Sequence, residues 1–297
     1  MSESLTIKIA AQIPSLLCAV VLDNDDSAER NEPIIKPPSL RAVILDNDET
    51  TGSYGIIYSL LTHLRPLSLT EEETALLYNR LAHALDEYQL FRPHLGRFLQ
   101  TLDALGDELA LDTVIMYTNQ TCELASQSHI DPESFSIQNL LYSVPLTIAY
   151  LMNEVYNIMA FHKILTRPPL LRGIQHAACP KSFSRILDMY PSKARSTEKI
   201  LFVDDNARPE FITACPRTET HAHSYVRIHP YVRILTDAEL DRLLATVLHG
   251  MSVPPATLQA IKAQYRTHAP LHRIAENSAA DAELESLRLA ILDFYAI

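Results

Sequence analysis

Ala42-Val-Ile-Leu-Asp46-Asn-Asp48-Glu-Thr50 is the stretch on which the fold turns. Four apolar residues run without a polar break and end at an acid, the pattern of a strand buried on both faces of a parallel sheet. Outward from it, Thr113-Val-Ile-Met-Tyr117 and Ile200-Leu-Phe-Val203 repeat the pattern, and helical stretches separate them. Thr70 with Glu73 spells a capping box for a helix through about Tyr88. Arg92-Pro93 opens another through about Leu105, and Thr236 with Glu239 caps a third that stops at Gly250. Strands alternating with helices predict an α/β fold, a doubly wound Rossmann-like parallel sheet.

The main domain is expected over 41–250, with an inserted helical segment at 123–160. Residues 1–40 form an N-terminal extension ending in Asn31-Glu-Pro-Ile-Ile-Lys-Pro-Pro38, where the prolines forbid helix and central strand. A helical C-terminal tail spans 251–297, with amphipathic patterns at about 255–268 and 280–294. It reads as packed on the sheet or as a partner-binding element.

With 297 residues, 47% apolar and 21% charged, the chain is a globular protein with a sizeable core. Its 6 glycines form neither GxGxxG nor a P-loop, which removes those phosphate-cradling motifs. A net charge of -11 opposes nucleic-acid binding. Cys18, Cys122, Cys179 and Cys215 make no CxxC pair, as in a reducing cytoplasmic or nuclear compartment. The apolar stretch from Ile137 to Met152 is too short and too polar to span a bilayer, so no membrane association is expected.

Asp46 and Asp48 follow their strand at spacing i, i+2, which in extended backbone puts both side chains on one face. That face lies at the carboxyl end of the sheet, where open parallel sheets bind ligands. One carboxylate can stay ionised as nucleophile and metal ligand while the other carries a proton as general acid. The second strand ends at Thr118-Asn119, a hydroxyl and an amide suited to phosphate oxygens. The third ends at the acidic pair Asp204-Asp205, and Lys181 opens a helical pattern between them. A lysine there neutralises a phosphoryl group while an aspartate steadies it.

This order of acid pair, hydroxyl, lysine and acid pair resembles the haloacid dehalogenase superfamily, its phosphatase branch in particular. The resemblance implies Asp46 as the nucleophile that forms an aspartyl-phosphate and Asp48 as the acid/base. It implies Thr118, Asn119 and Lys181 as phosphate-binding residues. Mg²⁺ would be held by Asp46, the Asp48 backbone carbonyl and Asp205, with Asp204 steadying Lys181 and Thr50 closing the first motif. Within the superfamily, the chain is most similar to the RNA polymerase C-terminal-domain phosphatases and the NLI-interacting-factor-like proteins. Phe91-Arg-Pro-His-Leu-Gly-Arg-Phe-Leu99, Phe161-His-Lys-Ile-Leu-Thr-Arg167 and the stretch from Tyr225 to Leu248 carry that likeness. It implies a small flap or cap and a phosphorylated protein as substrate. A small phosphoester, or a non-catalytic scaffold of the same fold, is the alternative.

Three other motifs compete. Asp23-Asn-Asp25-Asp-Ser27 nearly duplicates the first motif, but prolines follow it where Thr50 is followed by Gly52-Ser-Tyr-Gly55 and a long apolar pattern. Cys179 to Arg185 spells CX5R, the signature of cysteine phosphatases, without the glycine that would let backbone amides converge on phosphate. His221, His223 and His229 have no carboxylate or thiol at ligand spacing and read as surface histidines. Tyr54, Tyr58, Tyr142, Tyr150 and Tyr156 fall in apolar helical patterns and are expected in the core.

Overall fold

The computed structural model describes residues 39–108, 111–121, 129–132, 136–167, 181, 185–186, 189, 197–206, 221–268 and 277–295. The proline linker, the acidic copy at Asp23 and Asp25, and Cys179 lie outside the described residues.

The apolar run before Asp46 forms β1 (Ser39–Leu45), the centre of a six-stranded sheet. β2 (Thr113–Thr121) pairs parallel on one side, with Val43 opposite Val114. β5 (Thr197–Asp204) pairs parallel on the other, with Val43 opposite Leu201. β4 (Lys163–Arg167) extends the sheet beyond β2, and β6 (His221–Arg227) extends it beyond β5, both parallel. A short β3 (His129–Ile130) borders β4 antiparallel, so the order is β3-β4-β2-β1-β5-β6. The chain moves outward from β1 through β2 to β4, then returns across β1 to β5 and β6. The direction of winding therefore reverses between β1 and β5, the switch point at which such sheets open a ligand crevice at their carboxyl ends.

Side chains alternate along β1. Val43 and Leu45 enter one core cluster, while Leu40, Ala42 and Ile44 enter a second on the opposite face. The α-helices whose bounds the described residues fix are α1 (Gly55–Leu64), α2 (Glu71–Glu87), α3 (Leu95–Asp107), α4 (Ile137–Leu140), α5 (Val144–Tyr156), α6 (Asp237–Val247), α7 (Pro255–His268) and α8 (Asn277–Tyr295). Seven of them, all but the single-turn α4, bury long apolar stripes in the larger cluster, and Leu140 and Leu141 bring α4 into it too. The smaller cluster is covered by Ile186, with Met189 and Tyr225 against it. Both capping boxes form. Glu73 N–H donates to Thr70 Oγ1 at 3.2 Å while Thr70 N–H donates to Glu73, and Thr236 with Glu239 repeats the arrangement. Each such cap satisfies two backbone donors that the first helical turn would leave exposed.

Two parallel strands cannot be joined by a hairpin and need a crossover. Within 123–160, α5 is that crossover between β2 and β4. Its buried Leu146, Ile148, Leu151 and Met152 pack into the core, and Thr147 meets Tyr78 of α2. Arg92 and Pro93 stand outside α3, which begins after His94 in the left-handed region (φ 63°). Tyr58 (41% exposed) and Tyr142 (38%) lie on the surface rather than in the core. On α1 the buried stripe is Ile56, Ile57, Leu60, Leu61 and Leu64, and Tyr58 falls on the other side of it. Tyr54 is buried.

The last two helices belong to the same core: Ile261 and Tyr265 of α7 and Leu284, Leu287, Ile291 and Tyr295 of α8 are buried in it. The Tyr295 hydroxyl donates to the Ala42 carbonyl at 2.8 Å, pinning the end of α8 to the central strand. Among the described residues, no helix is long and apolar enough to cross a membrane.

Candidate active site

The β1–β5 ladder continues one residue past β1. Asp46 N–H donates to the Val203 carbonyl at 2.9 Å, which fixes the Asp46 backbone where the central strand ends. On β5 the chain ends in Asp204 and turns at Asp205. Carboxylate oxygens of Asp46, Asp204 and Asp205 consequently lie within 4.8 Å of one another, and all three residues are buried.

Lys181 is brought to the same point and is 1% exposed. Its ammonium pairs with Asp46 Oδ1 and with Asp204 Oδ2, the latter at 3.1 Å. Beneath it the rings of Tyr117 and Phe202, on β2 and β5, lie 5.8 and 5.6 Å from Nζ, a favourable face for a cation. An ammonium has three protons to donate, so two carboxylates leave one for a further ligand. The second Asp204 oxygen accepts from Asn206 N–H at 2.8 Å, so both oxygens of this side chain are engaged. Asp205 Oδ1 accepts from Thr50 Oγ1 at 3.2 Å and from Asn206 Nδ2 at 3.1 Å, and Thr50 Oγ1 accepts from Asp205 N–H at 3.0 Å. Oδ2 of Asp46 and Oδ2 of Asp205 have no hydrogen-bond partner among the described residues. Two hard oxygens beside an uncompensated negative cluster are what a small divalent cation takes from protein, with water and substrate filling its other positions.

Asp48 stands at the rim, exposed, with Oδ2 accepting from Gln120 Nε2 at 2.6 Å. Thr118 is buried on β2, and its Oγ1 accepts from Gln120 N–H at 3.1 Å. Asn119 lies in β2, and its side chain is outside the described residues. Gln120 has no counterpart among the residues singled out from sequence. Nothing in a single polar residue after Thr118-Asn119 signals that it reaches across to Asp48.

The turn carrying Asp46 to Thr50 is tight. Glu49 sits at φ 59°, Thr51 N–H donates to the Asn47 carbonyl at 3.0 Å, and Glu49 N–H donates to the Gly52 carbonyl at 2.9 Å. Such left-handed backbone at a non-glycine residue is held only by its surroundings. A Cβ at Gly52 would stand 2.6 Å from the Leu90 carbonyl and 2.5 Å from the Tyr54 hydroxyl, so only glycine fits there. Arg92, 1% exposed, clamps the turn from below. Nη1 donates to the Glu49 and Thr50 carbonyls at 3.2 Å each, and Nη2 donates to the His229 carbonyl at 2.7 Å and to Glu283 of α8 at 3.1 Å. In sequence Arg92 reads as a helix start. Its planar fork instead ties the acidic turn to α8. His229 also pairs with Glu283, through Nδ1. Of the CX5R motif, Arg185 is described. It donates to the Tyr117 hydroxyl at 3.2 Å and to the Thr166 carbonyl at 2.7 Å.

The electrostatics follow from burying several acids with one lysine. Burial pushes Asp46 up to about 7 against the pull of Lys181, with Asp204 and Asp205 adding to the rise. The protein around its carboxyl, and then the Asp46 charge, raises Asp48 to about 6. Burial and the Asp204 charge raise Asp205 to about 6. Each acid therefore binds protons more tightly in the folded state than at its unfolded value of 3.8. Between that value and 6–7 the native state carries more protons than the unfolded chain, so stability falls as pH rises through this window. A cation competing for the same oxygens reverses the trend. In metal-free buffer the melting temperature is expected to fall between pH 5 and pH 7.5. Divalent cation at about 100 times its Kd should add about 2.7 kcal/mol at pH 7.5, roughly 5 °C, and clearly less at pH 5. Thermal melts with and without cation at both pH values check this, and a cation shift larger at pH 5 would contradict it.

No protein-family model, curated protein or solved structure matches the chain. What stands is a parallel α/β sheet of Rossmann-like order with a buried triad of aspartates, able to hold a metal ion, at its switch point.

Proposed function

We propose that the chain is a Mg²⁺-dependent phosphomonoester hydrolase of the haloacid dehalogenase type, working through an aspartyl-phosphate on Asp46. The observation that carries this reading is the buried Asp46 carboxylate, held by Lys181 at the switch point beside Asp204 and Asp205, with Asp48 two residues on at the rim. The donor set fits the ion: Asp46 and Asp205 would contribute carboxylate oxygens, and the family resemblance implies the Asp48 backbone carbonyl as a third. The ion, when bound, screens the negative charge between an anionic nucleophile and an anionic phosphate.

The chain's own residues then divide the work. The remaining Lys181 proton and the Thr118 hydroxyl hold phosphoryl oxygens. An Asp46 oxygen bonds to phosphorus as the ester P–O bond opposite it breaks, and the bonding pair leaves with the ester oxygen. Asp48 gives its proton to that oxygen. Its proton affinity, raised to about 6, suits a donor working in mildly acidic solution, with Asp46 kept ionised there by Lys181 and the bound cation. Water next attacks phosphorus, Asp48 takes its proton, and phosphate departs with Asp46 restored. Asp204 orients Lys181, Thr50 orients Asp205, and Arg92 keeps the turn carrying both catalytic acids in register.

The test is phosphate release from p-nitrophenyl phosphate by the full chain. Turnover that needs Mg²⁺, stops with a chelator and returns with excess metal is the expected result. A folded protein that releases nothing, or that is indifferent to chelation, would overturn the reading.

A further inference from the structure

An in-line displacement leaves the ester oxygen on the side of phosphorus away from Asp46, so the alcohol points toward its proton donor, Asp48. Asp48 and Gln120 line one end of a cleft of about 300 Å³, the size that takes a small molecule. The rest of it comes from three separated stretches: Ser53, Tyr54 and Tyr58 around the start of α1, Val232 to Ile234 after β6, and Tyr265 of α7.

The walls present more carbon than polar surface. The Tyr265 hydroxyl accepts from Leu235 N–H at 2.8 Å, which fixes the ring and occupies its polar tip. The Tyr54 hydroxyl donates to Thr51 Oγ1 at 3.0 Å, and the Ser53 hydroxyl donates to the Arg233 carbonyl at 3.1 Å. Arg233, the cleft's cation, pairs with Glu239 at 2.6 Å, so its charge is balanced locally. Asp48 also stands on the lining, at the end where the ester oxygen leaves. Tyr58 and Ile234, 41% and 39% exposed, are two of the few large apolar side chains left open on the described surface, and both edge this cleft. Gln120 Oε1 is buried and has no partner, while its Nε2 is directed to Asp48.

We propose that this cleft seats the leaving alcohol and selects phosphomonoesters whose alcohol has an uncharged aromatic or branched apolar body. Alcohols carrying further phosphates or carboxylates are disfavoured, because the cation on the described lining, Arg233, is already paired with Glu239. A hydrogen-bond donor near the ester oxygen finds its acceptor in Gln120. The α7 helix thereby becomes a wall of the substrate site. This rests on the phosphomonoester reading above.

Ethyl phosphate and 2-phenylethyl phosphate have primary alcohols of matched chemistry and differ in the apolar body. With the full chain and Mg²⁺, kcat/KM is expected to favour 2-phenylethyl phosphate by about 30-fold, the equivalent of burying most of a phenyl ring. Ile234→Ser should bring that ratio down about tenfold, and because Ile234 is partly exposed the substitution opens no core cavity. A wild-type ratio near one, with both esters hydrolysed, would overturn the cleft assignment and leave the phosphatase reading standing. If neither ester is hydrolysed, calorimetric titration with 2-phenylethylphosphonate decides the cleft separately. Binding weakened by Ile234→Ser supports it, and absence of binding or indifference to the substitution overturns it.

Discussion

Asp46→Asn is expected to lower phosphate release by roughly 10³-fold or more while the protein stays folded. The loss is large because an amide cannot form the acyl-phosphate bond, and removing a nucleophile disables every later step. The fold survives for a reason internal to the site. Asp46 is a buried carboxylate pushed up to about 7, so the native state bears a cost to ionise it at pH 7.5. Asparagine fills the same space without that charge, and Lys181 keeps Asp204 at 3.1 Å. A metal-free melting temperature equal to or above wild type at pH 7.5 is the expected accompaniment. Asp23→Asn and Cys179→Ser should retain wild-type turnover. Activity kept in Asp46→Asn and lost in Cys179→Ser, without metal dependence, would replace the aspartate mechanism with a thiolate one.

Lys181→Met is the second large effect, and it falls on stability as well as on turnover. Methionine approximates the lysine stem in volume, so the change isolates the charge. Without the ammonium, Asp46 and Asp204 lose the Lys181 charge in a place where neither is solvated, and breaking such a buried pair costs about 3–5 kcal/mol. The penalty should be greatest at pH 7.5 and shrink toward pH 5, where the acids gain protons and need no counter-charge. Urea midpoints at the two pH values measure it. A combined Lys181→Met, Asp204→Asn protein should regain part of the loss, the interaction showing as non-additivity in a double-mutant cycle. Equal midpoints for wild type and Lys181→Met would show that the ion pairs contribute nothing.

Parts of this molecule could be read residue by residue because the relevant physics is local. A continuous apolar run ending in acid can be buried on both faces, and β1 does so. Thr70 with Glu73 and Thr236 with Glu239 cap helices through contacts three residues apart. The two amphipathic patterns near the C-terminus match α7 and α8 closely. Periodicity also has limits. It identifies an apolar stripe but not which tyrosine lies beside it, and Tyr58 and Tyr142 accordingly reach the surface.

Strand-end acids and a lysine at a helix start are likewise visible in the chain, as are the chemical types they offer. What the chain does not display is which polar side chains reach across large sequence separations. Gln120 meets Asp48 over 72 positions, and Arg92 meets Glu283 over 191. Neither residue belongs to a spacing pattern, since each contact exists only once β1, β2 and α8 are stacked. Tyr265 joins the cleft for the same reason: its hydroxyl is fixed by Leu235, and its ring becomes a wall through the packing of α7 on α1.

By itself, then, the sequence determined the alternation of strands and helices, the caps that start them and the acids at the ends of the central strands. Those follow from hydrogen bonding and burial within a few residues. The tertiary structure alone decided that Gln120 reaches Asp48, that Arg92 ties the acidic turn to α8, and that Tyr265 of α7 walls the cleft. Desolvation and charge coupling act through space, so the proton affinities and the shape of the cleft come into being only when distant segments exclude water together.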